Sequence, residues 1–190
     1  DAAFGLAQAG ADRFNESIEG EGEGEALLRR SLDLFAAQGE VDHPLLRRLL
    51  GARLLSRGRA VEVLPLAGEG MSWDDVDMRV DALVHLERSD EADALIDAYA
   101  RRRAAEGEEP RGVPAMRFAI VRGRGDFEGA LALAREAGAE AGEDAGDARV
   151  GPWELRQFEC LLALRRDDEA VQFAMNQGGN GDSIGQATPQ

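Results

Sequence analysis

Lysine is missing from this chain, so all 22 basic residues are arginine, and they stand against 37 acidic residues for a net charge of −15. A field of that sign repels nucleic-acid phosphates and anionic membrane, and neither is expected as a partner. Arginine without lysine fits a GC-rich coding sequence or an acidic surface adapted to high salt, and neither is a function. Cysteine occurs once, at Cys160, which excludes an intramolecular disulfide and a cysteine-based metal framework. Aromatics make up 5% of the residues while the hydrophobic fraction is 44%, so the core is built mainly from Ala, Leu and Val. Small facing residues let helices approach closely. No run nears the ~18 apolar residues that span a bilayer, and the first residues do not form a signal peptide, so a cytoplasmic location is expected. The first residue is Asp1 rather than Met, as in a processed chain or a piece of a longer one.

The chain does contain a repeated pattern. Apolar-periodic runs end in a tight polar turn and continue into a second amphipathic run that opens on alanine, as helical repeats do. The turns read Arg88-Ser-Asp-Glu-Ala92, Gly125-Asp-Phe-Glu-Gly-Ala130, Arg166-Asp-Asp-Glu-Ala170 and, more loosely, Gly58-Arg-Ala60, and Gly22-Glu-Gly-Glu-Ala26 can be set in register with them. The anchor alanines 26, 60, 92, 130 and 170 are spaced by 34, 32, 38 and 40 residues. The pattern predicts an all-α chain of four to five helical hairpins, a right-handed alpha-alpha superhelix in one domain over 1–177. The first unit, 1–40, is its least regular part, and the tail 178–190 lacks periodicity and is expected to be disordered.

The expected helix pairs are 2–15 with 25–38, 43–57 with 59–67, 72–88 with 90–105, 113–124 with 126–139, and 152–165 with 167–177. Asp42 is the expected N-cap of the second pair, with Pro44 in its first turn, and Ser72 with Asp75 resembles a capping box. The run Glu19 to Glu25 reads as flexible and self-repelling, and 142–147 as an acidic Gly/Ala loop. Cys160 shares a helical position with Ala82 and Ile120, as a buried structural thiol would. The glycines 123, 125 and 129 also fit a strand, phosphate loop and helix, but the matching positions of neighbouring units make turns.

The pattern resembles the tetratricopeptide repeat family over roughly residues 40–177. Gly125-Asp-Phe-Glu-Gly-Ala-Leu131 is similar to the family's turn into its second helix, and Phe14, Phe118 and Phe158 each lie 12 residues before their anchor alanine. Val80 fills that place in the third unit and Arg48 stands there in the second, while the usual Trp, Leu-Gly and Pro positions are mostly unfilled. Other helical-hairpin repeats share these features. The resemblance implies a concave groove lined by first helices, and a protein- or peptide-binding role.

Asp74, Asp77, Asp81 and His85 are spaced by 3, 4 and 4 residues, which places three carboxylates and an imidazole on one helix face. The resemblance puts this face in the groove, where it would receive a basic segment. The other readings are a solvated face and a divalent site on Asp81 and His85. Arg53, Arg122 and Glu159 are assigned to groove positions of other units, making the groove mixed in sign. Arg101 to Arg103 suit a helix C-terminus. His43 and His85 alone could act as near-neutral bases, and no motif places a Ser or Cys nucleophile beside either, so neither catalysis nor a cofactor is expected. The expected function is a non-catalytic protein- or peptide-binding scaffold, the alternative being the ligand-sensing or regulatory segment of a larger signalling or transcription-regulating protein. The last helix is also expected to contact something, either a second copy of the chain, as a homo-oligomer, or a continuation of the chain, because Val171, Phe173, Ala174 and Met175 cannot all be buried against one preceding helix.

Overall fold

Within each of four helix pairs the chain reverses at one residue of positive φ: Gly58 (69°), Glu87 (59°), Gly125 (76°) and Arg165 (58°). The computed structural model describes residues 21–38, 43–141 and 152–179 together with positions 3, 5, 6, 8 and 9. After each reversal the next amide donates to the carbonyl five residues back: Arg59 to Leu54 (2.9 Å), Arg88 to Leu83 (2.9 Å), Asp126 to Val121 (3.2 Å) and Arg166 to Leu161 (3.0 Å). That bond is the Schellman ending, which satisfies a terminal carbonyl of one helix as the next begins. Glycine enters the left-handed region freely. Glu87 and Arg165 hold it at a steric cost of about 1–2 kcal/mol.

The helices are α1 (Glu21–Ala37), α2 (Pro44–Ser56), α3 (Val63–Ala67, preceded by a 3-10 turn at Ala60–Glu62), α4 (Trp73–His85), α5 (Ser89–Ala105), α6 (Val113–Gly123), α7 (Phe127–Ala141), α8 (Pro152–Ala163) and α9 (Asp167–Gly179). Among the described residues there is no strand, so the all-α expectation holds. The glycine-rich stretch at 118–130 is the end of α6, a turn and the start of α7, which removes the nucleotide-loop reading. The helix expected at 2–15 is described only at positions 3, 5, 6, 8 and 9, all helical. The loop 142–147 and most of the tail lie outside the described residues, but α9 runs on through Gly179, two residues into the expected tail.

Three turns share an arginine clamp. The guanidinium of the turn-closing residue grips a glutamate three residues on with two bonds: Arg59 on Glu62 (2.6 and 2.8 Å), Arg88 on Glu91 (2.6 and 2.7 Å) and Arg166 on Glu169 (2.7 and 2.7 Å). In the fourth turn Asp126 caps the Gly129 amide instead (2.9 Å). Counting from the turn-closing residue aligns the hairpins. Four residues on stand Val63, Ala92, Ala130 and Ala170, all buried. Ala60 is buried too, but it follows Arg59 directly, so Val63 is the true counterpart and its spacing to Ala92 is 29 residues. Eight residues before the turn-closing position stand Gly51, Val80, Phe118 and Phe158. The aromatic position of the second hairpin is therefore Gly51, not Arg48, and a Cβ there would sit 3.0 Å from the Met78 sulfur that fills the space.

The first hairpin departs from the expected register. Ala26 is exposed, and the inward face of α1 is Gly24, Leu28, Ser31 and Phe35. Ser31 Oγ donates to the Ala3 carbonyl (2.8 Å), fastening the preceding segment to α1. The Gly/Glu run is helical from Glu21, because Arg57 and Arg59 of the next hairpin pair with Glu25 and offset its charge. His43, not Asp42, precedes α2, and it makes no side-chain cap, while Asp42 lies outside the described residues.

The chain divides into two compact units, Asp1–Val113 and Pro114–Gln190. In the first, Leu28, Phe35, Leu46, Leu50, Leu54, Val63, Ala67, Met78 and Ala82 form one core. In the second, Phe118, Ala130, Leu131, Ala134, Cys160, Leu161 and Ala170 do so, with Trp153 edge-on to Phe118 at 6.3 Å. Ala92→Leu and Ala130→Leu should each cost ~1–3 kcal/mol by overpacking, while Glu87→Gly should gain up to about 1 kcal/mol by relieving the turn. Urea melts check both, and a neutral Ala130→Leu would contradict the alignment.

Candidate functional site

Helix α4 opens on a true cap: Ser72 Oγ accepts from the Asp75 amide (3.2 Å) and donates to Asp75 Oδ2 (2.6 Å). Asp74 and Asp75 sit in its first turn, where the helix dipole favours negative charge. The α4 stripe then carries Asp74, Asp77 and Asp81 half-buried and His85 exposed. It already holds a cation. Arg48 of α2 lies 2.9 Å from Asp74 Oδ1 and 3.8 Å from Asp77 Oδ2, and its guanidinium stacks over the Trp73 ring at 4.7 Å. Arg48 and Asp77 are counterparts in the turn register, so facing first helices exchange charge here.

His85 Nδ1 lies 2.9 Å from the Asp81 carbonyl oxygen, one helical turn back. A carbonyl can only accept, so Nδ1 carries the proton. Among the described residues no group of three or more His, Cys, Asp or Glu could hold a metal ion. The remaining residues singled out in the sequence do not join this stripe. Arg53 is half-buried on α2 and corresponds to Ala82, Ile120 and Cys160, a core position rather than a groove position. In the second unit Arg122 and Glu159 pair with each other at 3.6 Å, both about half exposed. Glu159 is the counterpart of Asp81, whereas Arg122 is not a counterpart of any stripe residue. Cys160 is buried, which pushes its thiol above the ordinary range.

Two charge clusters were not foreseen. Arg47 reaches Asp75 Oδ1 (2.7 Å) and the Leu66 and Ala67 carbonyls (3.1 and 3.3 Å), so one guanidinium joins α2, the end of α3 and the start of α4. Asp75 is 7% exposed, and a Cβ on Gly70 would collide with its carboxylate. The capping box marked Asp75 in the sequence, but nothing marked Arg47, 28 residues away. The second cluster joins α1 to the 58–62 turn. Glu25 takes Arg59 (2.7 and 3.1 Å), Arg29 (3.0 Å) and Arg57 (3.5 Å), while Arg29 also reaches Glu62 (2.9 Å). Burial alone would raise the Glu25 carboxyl, but the hydrogen bonds from Arg59 and Arg29 outweigh it and hold it below the usual carboxylate range.

No helix among the described residues is long and apolar enough to cross a membrane. No protein-family model, curated protein or solved structure matches the chain. The site is therefore defined by its own geometry.

Removing one partner of a buried ion pair leaves the other uncompensated, so Asp75→Ala should cost about 3–5 kcal/mol, whereas Arg48→Ala, at an exposed pair, should cost under about 1 kcal/mol. Chemical denaturation of both variants checks the ranking, and equal losses would contradict it. Glu25 titrates lower in the folded than in the unfolded chain. Its contribution is thus complete above the unfolded carboxylate range, near about 4.3, and fades as pH falls through the lower folded value. The stability gap between parent and Glu25→Gln should accordingly be widest near neutrality and close in acid. A gap that widens in acid would contradict the assignment.

Proposed function

We propose that this chain is a non-catalytic scaffold whose hairpins, stacked within each unit in the manner of tetratricopeptide repeats, bind a protein or peptide segment. The observation that carries the reading is the common turn register, which sets the first helices side by side and turns Asp74 and Asp77 of α4 toward Arg48 of α2. Repeat arrays use such rows of outward positions as extended binding surfaces. The excess of carboxylate over arginine on this face suits a basic segment, and the net charge of −15 opposes nucleic acid and anionic membrane. A lysine or arginine of the partner would replace Arg48 between the two aspartates.

The test is affinity for a basic partner segment, measured by calorimetry across a salt series. The variant carrying Asp74→Asn, Asp77→Asn and Asp81→Asn should bind about tenfold or more weakly, with a flatter salt dependence, because electrostatic attraction is screened by salt. Arg48→Ala should bind more tightly, since the resident cation is gone. Unchanged affinity in the triple variant would show that the stripe is only a solvated helix face.

A further inference from the structure

Arg166 ties the start of α9 to the start of α7, taking Glu169 on one side (2.7 Å) and Glu128 on the other (3.2 Å). Beside this bridge a cavity of about 340 Å³ opens between the two helices, and none of its residues belongs to the α4 stripe. Arg135 of α7 forms one wall. Asp168, Gln172 and Asn176 of α9, spaced by four residues, share one helix face and form the other. The floor is apolar: Leu161 of α8 is 2% exposed, and Phe173 packs inward beside it, whereas Val171, Ala174 and Met175 of α9 are exposed. Glu169 also borders the cavity, but both of its carboxylate oxygens are held by Arg166. Among the described residues neither Arg135 nor Asp168 forms an ion pair, and the charge of Arg135 is felt across the groove at Glu169. The site thus offers one unengaged guanidinium, one unengaged carboxylate, two carboxamides and an apolar floor.

We propose that this groove binds a free α-amino acid with an apolar side chain, taken up as the zwitterion. The ligand's carboxylate pairs with the planar fork of Arg135, and the carboxamide N–H groups of Gln172 and Asn176 are the further donors on offer to it. Its ammonium pairs with Asp168, and its side chain covers Leu161 and Phe173. Charge selects this class. The two unengaged groups cancel, as the two charges of the ligand do, whereas an anion would meet Asp168 and the protein's net charge of −15, and a simple cation would meet Arg135. A phosphate ester would find a single guanidinium. Size agrees, because about 340 Å³ lies at the small end of small-molecule sites, which run from about 300 to 1,000 Å³. The apolar floor rewards a side chain that removes Leu161 and Phe173 from water, and a polar one would gain nothing there.

Amide NMR spectra of the 190-residue chain, titrated with L-leucine and with L-phenylalanine, test this. Leucinamide, which lacks the carboxylate, and N-acetyl-leucine, which lacks the ammonium, are the controls. The expected result is saturable shifts at Gln172, Phe173 and Asn176, with both leucine analogues binding at least tenfold more weakly than leucine. Arg135→Ala and Asp168→Asn should each weaken leucine to the same extent. Both positions are exposed, so the variants keep the fold, and their melting temperatures confirm it. The proposal is overturned if neither amino acid saturates these shifts below about 10 mM. Equal binding of leucine and its analogues, or undiminished binding by the two variants, overturns it as well.

Discussion

The architecture depends on closing a hairpin without leaving a helix end unsatisfied. A helix exposes four carbonyls at its C-terminus, and a second helix starting a few residues later exposes four amides. One residue of positive φ solves both problems here, because it aims the next amide at the carbonyl five residues back while turning the chain around. The same closure recurs at Gly58, Glu87, Gly125 and Arg165. Each closure in turn fixes the register of the second helix: four residues on, the side chain points between the two helices and is Val or Ala, as in Val63 and Ala92. Two of the four turns hold this conformation without glycine, so the packing they enable outweighs their local strain.

Charge is handled by recapture at short range. The acidic excess would push the compact state apart, yet many carboxylates sit beside a guanidinium of fixed geometry. The arginine fork grips a glutamate three residues on at three turns, and at Glu25 three arginines converge from two hairpins. Lysine, a point charge on a flexible stem, cannot make these two-bond contacts. Arg47 extends the logic inward, where a single arginine holds a carboxylate and two helix-end carbonyls together. The Arg48 contacts with Asp74 and Asp77 are the more exposed counterpart of that buried cluster, and both begin at the N-terminal end of α4.

Helix positions were legible in the sequence because apolar periodicity and turn residues act locally. The bounds of α2 through α9 differ from the expected ones by only a few residues, and the buried alanines 92, 130 and 170 were readable from their shared turns. The register of the second hairpin was not. Ala60 imitates the anchor alanine, and only the bond from Arg59 to Leu54 shows that Val63 holds the position and Gly51 the aromatic site. Ala26 failed for a related reason: the inward face of α1 is set by Leu28, Ser31 and Phe35, while the Gly/Glu run reads as a linker unless Arg57 and Arg59 are known to lie beside it. The Arg47 and Asp75 pair was invisible because it spans two hairpins. The α4 stripe, a matter of spacing within one helix, was readable, but its resident Arg48 was not.

The most direct measurement is amide hydrogen exchange at Arg59, Arg88, Asp126 and Arg166. These amides open the second helix of each hairpin, where an ordinary helix start would leave them free to exchange with water. Common closure predicts that all four are protected by their bonds to Leu54, Leu83, Val121 and Leu161, to a degree comparable with mid-helix amides of the same hairpin. Exchange at the rate of an open loop at these four positions would show that the hairpins do not share one turn, and the alignment built on it would fall.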